Sequence, residues 1–256
     1  MKKLLLSIFV TIFFLTGCDS KPTGKTYLVA TDATLVPMSF MSVGNSIIGF
    51  EPDLMRAVAK EAEINIEMIN VEWAGLFGGL ITRKFDMVIS SVTVLEERKE
   101  RMAFSIPYLK SGLALVVRKD QKGINTFADA INKNLLIGAQ VGTTAYFSLE
   151  KDPAVRKKGY QMYGHAITDL INGKIDAVLG ESTGTLFYKN QNKPLFEKIK
   201  MVDEILTNEH YAIAFRKDEP ELLIQINAAL KNILDDGTAA QLHKKWDLGL
   251  AAQIPK

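Results

Sequence analysis

The chain has 256 residues, of which 47% are hydrophobic and 23% are charged. This composition excludes intrinsic disorder and fibrous repeats, and it suits one large globular domain or two small ones. Lysine and arginine number 31 against 29 acidic residues. The excess equals Lys2 and Lys3, which lie in a segment that we expect to be removed. No basic field then remains, so we expect no nucleic-acid partner.

The N-terminus has the layout of a bacterial export signal. Two lysines precede an almost wholly apolar stretch at 4–15, which runs into Leu15-Thr16-Gly17-Cys18 and then into polar residues. The stretch is well short of the roughly 20 residues that span a bilayer as a helix. Its ending resembles the lipoprotein box, so we predict a signal peptide at 1–17 and a lipidated Cys18 heading a tether at 18–25. An ordinary signal peptide that happens to contain a cysteine is the alternative.

Metal and thiol chemistry have little support in the sequence. Cys18 is the only cysteine, so an intrachain disulfide is impossible and a catalytic thiol elsewhere is excluded. The three histidines, His165, His210 and His243, are scattered without the spacing of metal ligands. We therefore expect no metal site and no cofactor.

Short apolar runs alternate with helical patterns from Tyr27 onward, which is typical of α/β architecture with mostly parallel sheets. In chain order, the pattern predicts a strand at 27–30, a helix whose first residue is Pro52, a strand at 64–68, a helix at 76–81 and a strand at 87–89. Proline suits the first position of a helix, where its missing N–H costs nothing.

One segment of the chain is echoed later. Lys84-Phe85-Asp86-Met87-Val88-Ile89-Ser90 resembles Lys174-Ile175-Asp176-Ala177-Val178-Leu179-Gly180, and each follows a helical stretch with a paired Leu-Ile. Two similarly built lobes would explain the echo, and so would chance, because strand entries often look alike. Ligands of open α/β sheets bind beyond the carboxyl ends of strands. The residues after both strands are therefore the place to look for a site.

Hydroxyl groups and an arginine follow the first echoed strand, at Ser90, Ser91, Thr93 and Arg98. A guanidinium meets a carboxylate with two parallel hydrogen bonds, and hydroxyl groups satisfy the remaining lone pairs. This pattern predicts a carboxylate clamp.

A second set of polar groups lies in the later half of the chain. Gln140-Val141-Gly142-Thr143-Thr144 leads into a predicted helix whose free N–H groups favour an anion. Glu181, after the second echoed strand, brings the opposite charge, so a zwitterion would suit the whole set. Each part also has a simpler interpretation, because charge runs such as 96–101 are usually solvated helix faces and Thr143 and Thr144 suit helix caps. Only the combination favours a site.

Six segments together resemble the polar amino-acid-binding family of bacterial extracellular solute-binding proteins. They are Gly49-Phe50-Glu51-Pro52-Asp53-Leu54, Val71-Glu72-Trp73-Ala74-Gly75-Leu76, the block 84–98, Phe104-Ser105-Ile106-Pro107-Tyr108, Val141-Gly142-Thr143-Thr144 and Lys244-Lys245-Trp246. The resemblance implies a type II periplasmic binding protein, with two α/β lobes that each contain a mainly parallel sheet flanked by helices. It places lobe 1 at 26–110 and 208–256 and lobe 2 at 111–207, joined by two hinge crossings at 112–116 and 210–214.

The resemblance also implies roles for single residues. Arg98 would grip a ligand carboxylate, with help from the hydroxyl groups of Ser91, Thr93 and Thr144. Glu181 would take the α-ammonium, and Asp32 would line the side-chain pocket. Trp73 would stack on the ligand's side chain, whereas Leu35 stands where many relatives have a second aromatic residue. The predicted ligand-binding residues are Asp32, Trp73, Ser90, Ser91, Thr93, Arg98, Gln140, Thr143, Thr144 and Glu181.

The function implied is that of a receptor rather than an enzyme. It would capture a polar L-amino acid and deliver it to an inner-membrane ABC permease with its ATPase, as a monomer lipid-anchored on the periplasmic face of the membrane. Asp32, Glu181 and the Trp73 face favour arginine or lysine, while glutamine and histidine stay open.

Two enzymatic alternatives exist. Glu181 stands near the position of the general acid in members that resemble cyclohexadienyl dehydratase, and desolvation would raise its pKa. Gly180-Glu181-Ser182-Thr183-Gly184 matches the G-x-S-x-G elbow of hydrolases, with Asp203 and His210 as candidate triad partners. No HGGG-type oxyanion loop accompanies the elbow, which makes an esterase a weak alternative.

Overall fold

The structure is a computed structural model, and it describes residues 24–185, 196–202, 205–249 and 252–255. Two lobes, each built on a five-stranded sheet with helices, are joined by a two-stranded antiparallel sheet. The predicted two-lobed α/β class is therefore confirmed. The predicted signal peptide at 1–17 and lipidated Cys18 lie outside the described residues.

The first lobe contains most of the N-terminal elements. They are β1 (Thr26–Thr31), β2 (Thr34–Leu35), β3 (Ser39–Met41), β4 (Ile47–Ile48), α1 (Phe50–Glu61), β5 (Asn65–Asn70), α2 (Trp73–Ile81), β6 (Met87–Val88), α3 (Glu96–Lys99) and β7 (Ala103–Phe104). The chain then leaves this lobe through β8 (Leu109–Ser111). Strands β2, β3 and β4 form a small separate sheet.

The second lobe follows, and the chain then returns to the first. The second lobe contains β9 (Leu113–Arg118), α4 (Phe127–Asn132), β10 (Ile137–Gln140), α5 (Thr144–Glu150), β11 (Lys157–Tyr160), α6 (Tyr163–Ile171), β12 (Ala177–Glu181) and β13 (Ile199–Met201). The return runs through β14 (Glu209–Tyr211) and β15 (Ala214–Phe215) to α7 (Pro220–Asp235) and α8 (Thr238–Lys245). Both final helices pack on α1.

The two large sheets have the same topology. Their strand orders are β5-β1-β6-β15-β7 and β11-β10-β12-β9-β13. In each sheet four strands run in one direction and one, β15 or β9, runs against them. The reversed strands are those that the chain enters after crossing between the lobes.

The sequence echo has a structural basis in this repeated topology, because β6 and β12 occupy the same place in their sheets. Before β6, the carboxylate of Asp86 accepts a hydrogen bond from the N–H of Leu28, 2.9 Å away. Before β12, the carboxylate of Asp176 accepts one from the N–H of Leu136, also 2.9 Å away. Each aspartate therefore fastens its strand to the first parallel strand of its lobe.

Helix α1 begins two residues before its predicted start. The N–H groups of Phe50 and Glu51 donate to the carbonyl oxygens of Pro37 and Met38. Pro52 is thus the third residue of the helix and not the first. Its missing N–H still costs nothing, because the first four N–H groups of a helix have no partner within the helix.

The two crossings lie side by side. Strand β8 pairs with β14 in antiparallel register, with Leu109 opposite Tyr211 and Ser111 opposite Glu209. The predicted hinge stretch at 112–116 begins directly after β8, and that at 210–214 overlaps β14. Among the described residues, no helix combines the length and the apolar character that crossing a bilayer requires.

A glycine makes the close approach of the crossings possible. A Cβ atom on Gly112 would overlap the carbonyl oxygen of Thr207 and the side chain of Ile205. The carbonyl oxygen of Gly112 also accepts a hydrogen bond from the N–H of Ser182, 2.8 Å away. The backbone at Gly112 therefore has no room to move away.

We predict that Gly112→Ala lowers the free energy of unfolding by roughly 1–3 kcal/mol or more, as overpacking does. Gly164→Ala is the matched control, since Gly164 lies inside α6 with no atom near its Cβ position, and alanine stabilises a helix by up to about 1 kcal/mol. Thermal unfolding of both variants measures the difference. Equal melting temperatures would show that the crossings can separate at no cost.

Candidate functional site

All ten predicted site residues line one cavity between the lobes. The space among these residues is about 410 Å³, including the part that is open to solvent. Thr34 and Leu35, which were not among the predicted ligand-binding residues, also line it. The lining residues from the first lobe follow β1, β5 and β6, while Gln140 and Glu181 end β10 and β12. The segments that the strand-end rule selected thus lie around one cavity.

Arg98 is the cation of the site. Its Nη1 donates to the carbonyl oxygen of Thr93 at 2.8 Å, and its Nη2 donates across the lobes to that of Gly142 at 3.2 Å. Its guanidinium also lies 5.6 Å from the ring centre of Trp73 and 4.9 Å from that of Phe77. Burial lowers the pKa of Arg98 to about 10, so it stays charged at neutral pH. A guanidinium has five N–H donors, and the remaining ones can meet a carboxylate.

Asp32 holds the start of helix α2. One carboxylate oxygen accepts from the N–H of Trp73 at 3.2 Å, and the other accepts from the hydroxyl of Thr34 at 2.8 Å. The N–H of Asp32 donates to Ser90 Oγ at 3.0 Å. Burial raises the pKa of Asp32, while these hydrogen bonds oppose the shift. Asp32 therefore positions the ring of Trp73, which in this structure faces Arg98.

Ser91 is held by a buried glutamate that the sequence analysis missed. Its N–H and its hydroxyl both donate to Glu51 Oε1, at 2.5 and 3.0 Å, and the Tyr108 hydroxyl donates to the same oxygen. Burial raises the pKa of Glu51. Ser91 has a left-handed backbone, with φ of 48°. The proton of its hydroxyl is thus engaged inside the lobe, although Ser91 lines the cavity.

Thr143 acts as a helix cap, as its simpler interpretation suggested. Its hydroxyl oxygen accepts a hydrogen bond from the N–H of Tyr146 at 3.3 Å, and its O–H donates to the carbonyl oxygen of Gln140 at 2.7 Å. The side-chain amide of Gln140 donates to the carbonyl oxygen of Gln161 at 2.9 Å. These bonds fix the turn that precedes α5 and place the next residue, Thr144, at the cavity.

Glu181 lies at the acidic end of the cavity. Its carboxyl group accepts a hydrogen bond from the hydroxyl of Tyr211, and its Oε1 lies 3.3 Å from the hydroxyl oxygen of Thr144. Burial, followed by the charge of nearby Glu209, raises the pKa of Glu181 to about 8. In the empty protein at neutral pH, Glu181 is therefore mostly protonated.

Glu209 is the second acidic group here, and the sequence analysis did not single it out. It lies on β14 at the return crossing and is only 8% exposed. Its Oε2 accepts from the hydroxyls of Thr93 at 2.6 Å and Thr144 at 3.0 Å. The signal that could have found it is a charged residue directly before the predicted hinge crossing at 210–214.

The lobes touch around the cavity at two glycines of the second lobe. A Cβ atom on Gly142 would lie 3.2 Å from Trp73 Nε1, and one on Gly184 would lie 2.6 Å from a methyl carbon of Leu35. Gly142 also has a left-handed φ of 78°, which favours glycine. Leu35 therefore packs against the opposite lobe, at the position where many relatives have an aromatic residue.

The hydrolase interpretation finds no support in the described residues. Ser182 is fully buried, and its Oγ lies 2.9 Å from Ser111 Oγ. Its candidate partner Asp203 lies outside the described residues. No group of three potential metal ligands gathers in the part of the chain that the structure describes.

Residues 27–249 match the sequence profile of the bacterial extracellular solute-binding proteins, family 3. The chain belongs to this family. The ABC transporter arginine-binding protein 1 of Escherichia coli K12 is 30% identical over 96% of this chain and 99% of its own length. The L-cystine-binding protein TcyJ of the same strain is 29% identical over 86% of this chain and 82% of its own.

A solved structure of an ancestral arginine-binding protein bound to glutamine is also similar. It is 34% identical and superposes with a TM-score of 0.81, covering 88% of this chain and 98% of its own. The type II binding-protein fold is thereby confirmed. These relatives are described as binding proteins, one of them of an ABC transporter, and not as enzymes, in agreement with the prediction.

We predict that Glu181 makes the stability of the empty protein fall with pH. Its pKa of about 8 lies above the ordinary value of 4.5, so between these values the folded protein holds a proton that the unfolded chain lacks. The resulting stabilisation is full below pH 4.5 and is lost as the pH rises through 8. Glu181→Gln imitates the neutral acid and should lose less melting temperature than the native protein between pH 5 and pH 9.

The control variant is Glu67→Gln, which removes one carboxylate from an exposed position of β5. Its melting temperature should follow the native pH profile. Parallel profiles for the native protein and Glu181→Gln would mean that Glu181 is already ionised in the empty site.

Proposed function

We propose that this protein is the amino-acid receptor of an ABC importer and that it binds a basic L-amino acid, arginine or lysine, between its lobes. The observation that carries the proposal is the placement of opposite charges around one cavity. Arg98 comes from the first lobe, and Glu181 comes from the second. Family membership and the transport proteins among the relatives support the receptor role.

The two ends of the cavity suit the two charges of an amino acid. Arg98 has free donors for a carboxylate, and guanidinium–carboxylate pairs are frequently bidentate. Glu181 would ionise beside an α-ammonium, because an adjacent cation favours the charged form of a carboxyl group. Neither lobe alone offers both partners. Ligand would therefore favour the closed arrangement by its differential affinity, and the permease would read that arrangement as a loaded receptor.

The balance of charge supports a basic side chain. Asp32 and Glu181 line the cavity and Glu209 lies directly behind it, whereas Arg98 is the cation among the lining residues. A second positive group on the ligand, beside its α-ammonium, would reduce the repulsion among these carboxyl groups. The relatives named above include proteins described as binding arginine and cystine and one structure bound to glutamine. Their names support an amino acid as the ligand. The preference for a basic side chain is argued from the charges of the site alone.

We further propose that the predicted envelope placement holds. Removal of the signal peptide at 1–17 would make Cys18, which carries the lipid, the first residue of the mature chain. Residues 18–25 would then tether a monomeric receptor at the periplasmic face of the membrane, next to its permease and ATPase. The lobes would divide as predicted, with 26–110 and 208–256 forming lobe 1 and 111–207 forming lobe 2. Incorporation of labelled palmitate into the native protein, and its loss in Cys18→Ala, tests the anchor.

The dehydratase alternative draws on one observation, the pKa of about 8 for Glu181, which would suit a general acid. The same pKa is expected of a buried carboxyl group beside a second one in a site that binds a cation. The relatives compared above are binding proteins, so we retain the receptor role. Assays of prephenate and arogenate with purified protein would detect a dehydratase.

We predict that a thermal-shift screen of the twenty amino acids identifies ligands, since a ligand stabilises the folded protein by RT ln(1 + [L]/Kd). The decarboxylated amine of the best ligand should not bind.

Arg98→Ala should cost about 2–5 kcal/mol of binding free energy, the range for removing one partner of a buried charge pair. Calorimetric titration measures both effects. Arg98→Lys should lose less, because it retains a charge without the planar fork.

Arg101→Ala is the matched control, since Arg101 belongs to the same charged run but is exposed. Its affinity should equal that of the native protein. Unchanged affinity in Arg98→Ala would remove Arg98 from the site, and a screen without any hit would overturn the proposed function.

We predict that Asp32→Asn weakens arginine and lysine by a larger factor than glutamine. Only the cationic side chains lose a charge-assisted hydrogen bond, and asparagine can still accept from the N–H of Trp73. Affinities of the three amino acids for both proteins, measured by calorimetry, provide the test. Equal losses would show that Asp32 only shapes the pocket.

A further inference from the structure

Three threonine hydroxyl groups converge on the carboxylate of Glu209. Thr93 of the first lobe and Thr144 of the second donate to its Oε2, at 2.6 and 3.0 Å. Thr207, on the return crossing, donates to its Oε1 at 2.9 Å. Thr93 and Thr144 line the cavity, while Thr207 does not.

The count of protons restricts what these hydroxyl groups can do. A hydroxyl has one proton and two lone pairs, and an ionised carboxylate only accepts. When Thr93 and Thr144 donate to Glu209, only lone pairs remain for a ligand in the cavity. These residues then cannot donate to a ligand carboxylate, which is the role that the sequence analysis gave them beside Arg98.

We propose that Glu209 is a positioning residue that fixes Thr93 and Thr144 as hydrogen-bond acceptors, so that this part of the cavity selects the α-ammonium of the ligand. The three N–H donors of an ammonium would meet Thr93 Oγ1, Thr144 Oγ1 and the carboxylate of Glu181. Recognition of the carboxylate then falls to Arg98. This inference rests on the proposed function and names the part of the site that recognises the amino group.

The test compares amino acids with analogues that lack only the amino group. The probes are L-arginine with 5-guanidinopentanoic acid, and L-glutamine with glutaramic acid. We expect the native protein to prefer the amino acid of a pair by about 100-fold or more, because the analogue leaves buried acceptors without a donor. The measured quantity is the ratio of the two dissociation constants, obtained by calorimetry.

Glu209→Leu and Glu209→Gln separate the effect of proton placement from that of charge. In Glu209→Leu the threonine protons are free to turn into the cavity, so the ratio should fall at least about tenfold, mainly through weaker binding of the amino acid. In Glu209→Gln the amide oxygen can replace Oε2 while the amide nitrogen faces Thr207, so most of the ratio should remain. An equal loss in both variants would mean that Glu209 acts through its charge, and it would overturn the inference.

Threonine variants keep the test decisive if Glu209→Leu does not fold. Thr93→Val removes a hydroxyl that faces the cavity and should lower the ratio, whereas Thr207→Val removes an equivalent contact to Glu209 outside the cavity and should not. Equal ratios in Thr93→Val and the native protein would overturn the inference while leaving amino-acid binding intact. Failure of the native protein to bind either amino acid would instead contradict the proposed function.

Discussion

The two crossing strands approach each other so closely that only glycine fits at Gly112, and the acidic end of the cavity depends on this approach. Pairing of β8 with β14 fixes the position of the return strand. Side chains two residues apart on a strand lie on the same face, so Glu209 and Tyr211 both point to the base of the cavity. There Tyr211 donates to Glu181, and Glu209 accepts from Thr144. The crossings thus contribute directly to the site as well as connecting the lobes.

Two carboxyl groups that share one threonine in a buried place cannot both ionise without cost. In the empty protein Glu181 resolves the conflict by keeping a proton at neutral pH, with its pKa at about 8. Under the proposed function, an ammonium group replaces that proton, and both carboxylates then face a cation. At alkaline pH the two carboxylates repel each other, and the attraction of a bound ammonium group to both would offset this repulsion. The hydroxyl oxygen of Thr144 lies within hydrogen-bond distance of both carboxyl groups, at 3.3 Å from Glu181 and 3.0 Å from Glu209.

The sequence predicted the residues that line the cavity because they follow a general rule of sheet geometry. Ser90, Gln140 and Glu181 come directly after or at the ends of parallel strands, and such ends meet at one edge. Local interactions could also be predicted from the sequence. Thr143 caps α5, and the echoed aspartates before β6 and β12 each accept a hydrogen bond from a backbone N–H of the neighbouring strand segment. The start of α1 was misplaced because its first N–H groups are satisfied by carbonyl oxygens at 37–38, which no local pattern reveals.

Long-range partners were beyond the reach of the sequence for the same reason. Glu209 meets Thr93 across 116 positions, and Glu51 meets Ser91 across 40. A hydroxyl at a strand end shows that a hydrogen bond can form there. The direction in which the hydroxyl donates its proton depends on which acceptor lies nearby. The roles of Thr93 and Ser91 therefore became visible only when the two glutamates were placed beside them.

Closure of the lobes is limited by small residues, and this limit bears on selectivity. The backbone of the second lobe approaches Trp73 and Leu35 at Gly142 and Gly184, and Arg98 already reaches the carbonyl oxygen of Gly142. These contacts join protein to protein, and under the proposed function the ligand would add the pair of charged contacts that span the lobes. Because a ligand shifts an equilibrium only by its differential affinity for the two states, a compound lacking either charge would occupy one lobe and leave the lobes' equilibrium nearly unchanged. The two charges that decide binding would then also decide whether the receptor presents its closed form to a permease.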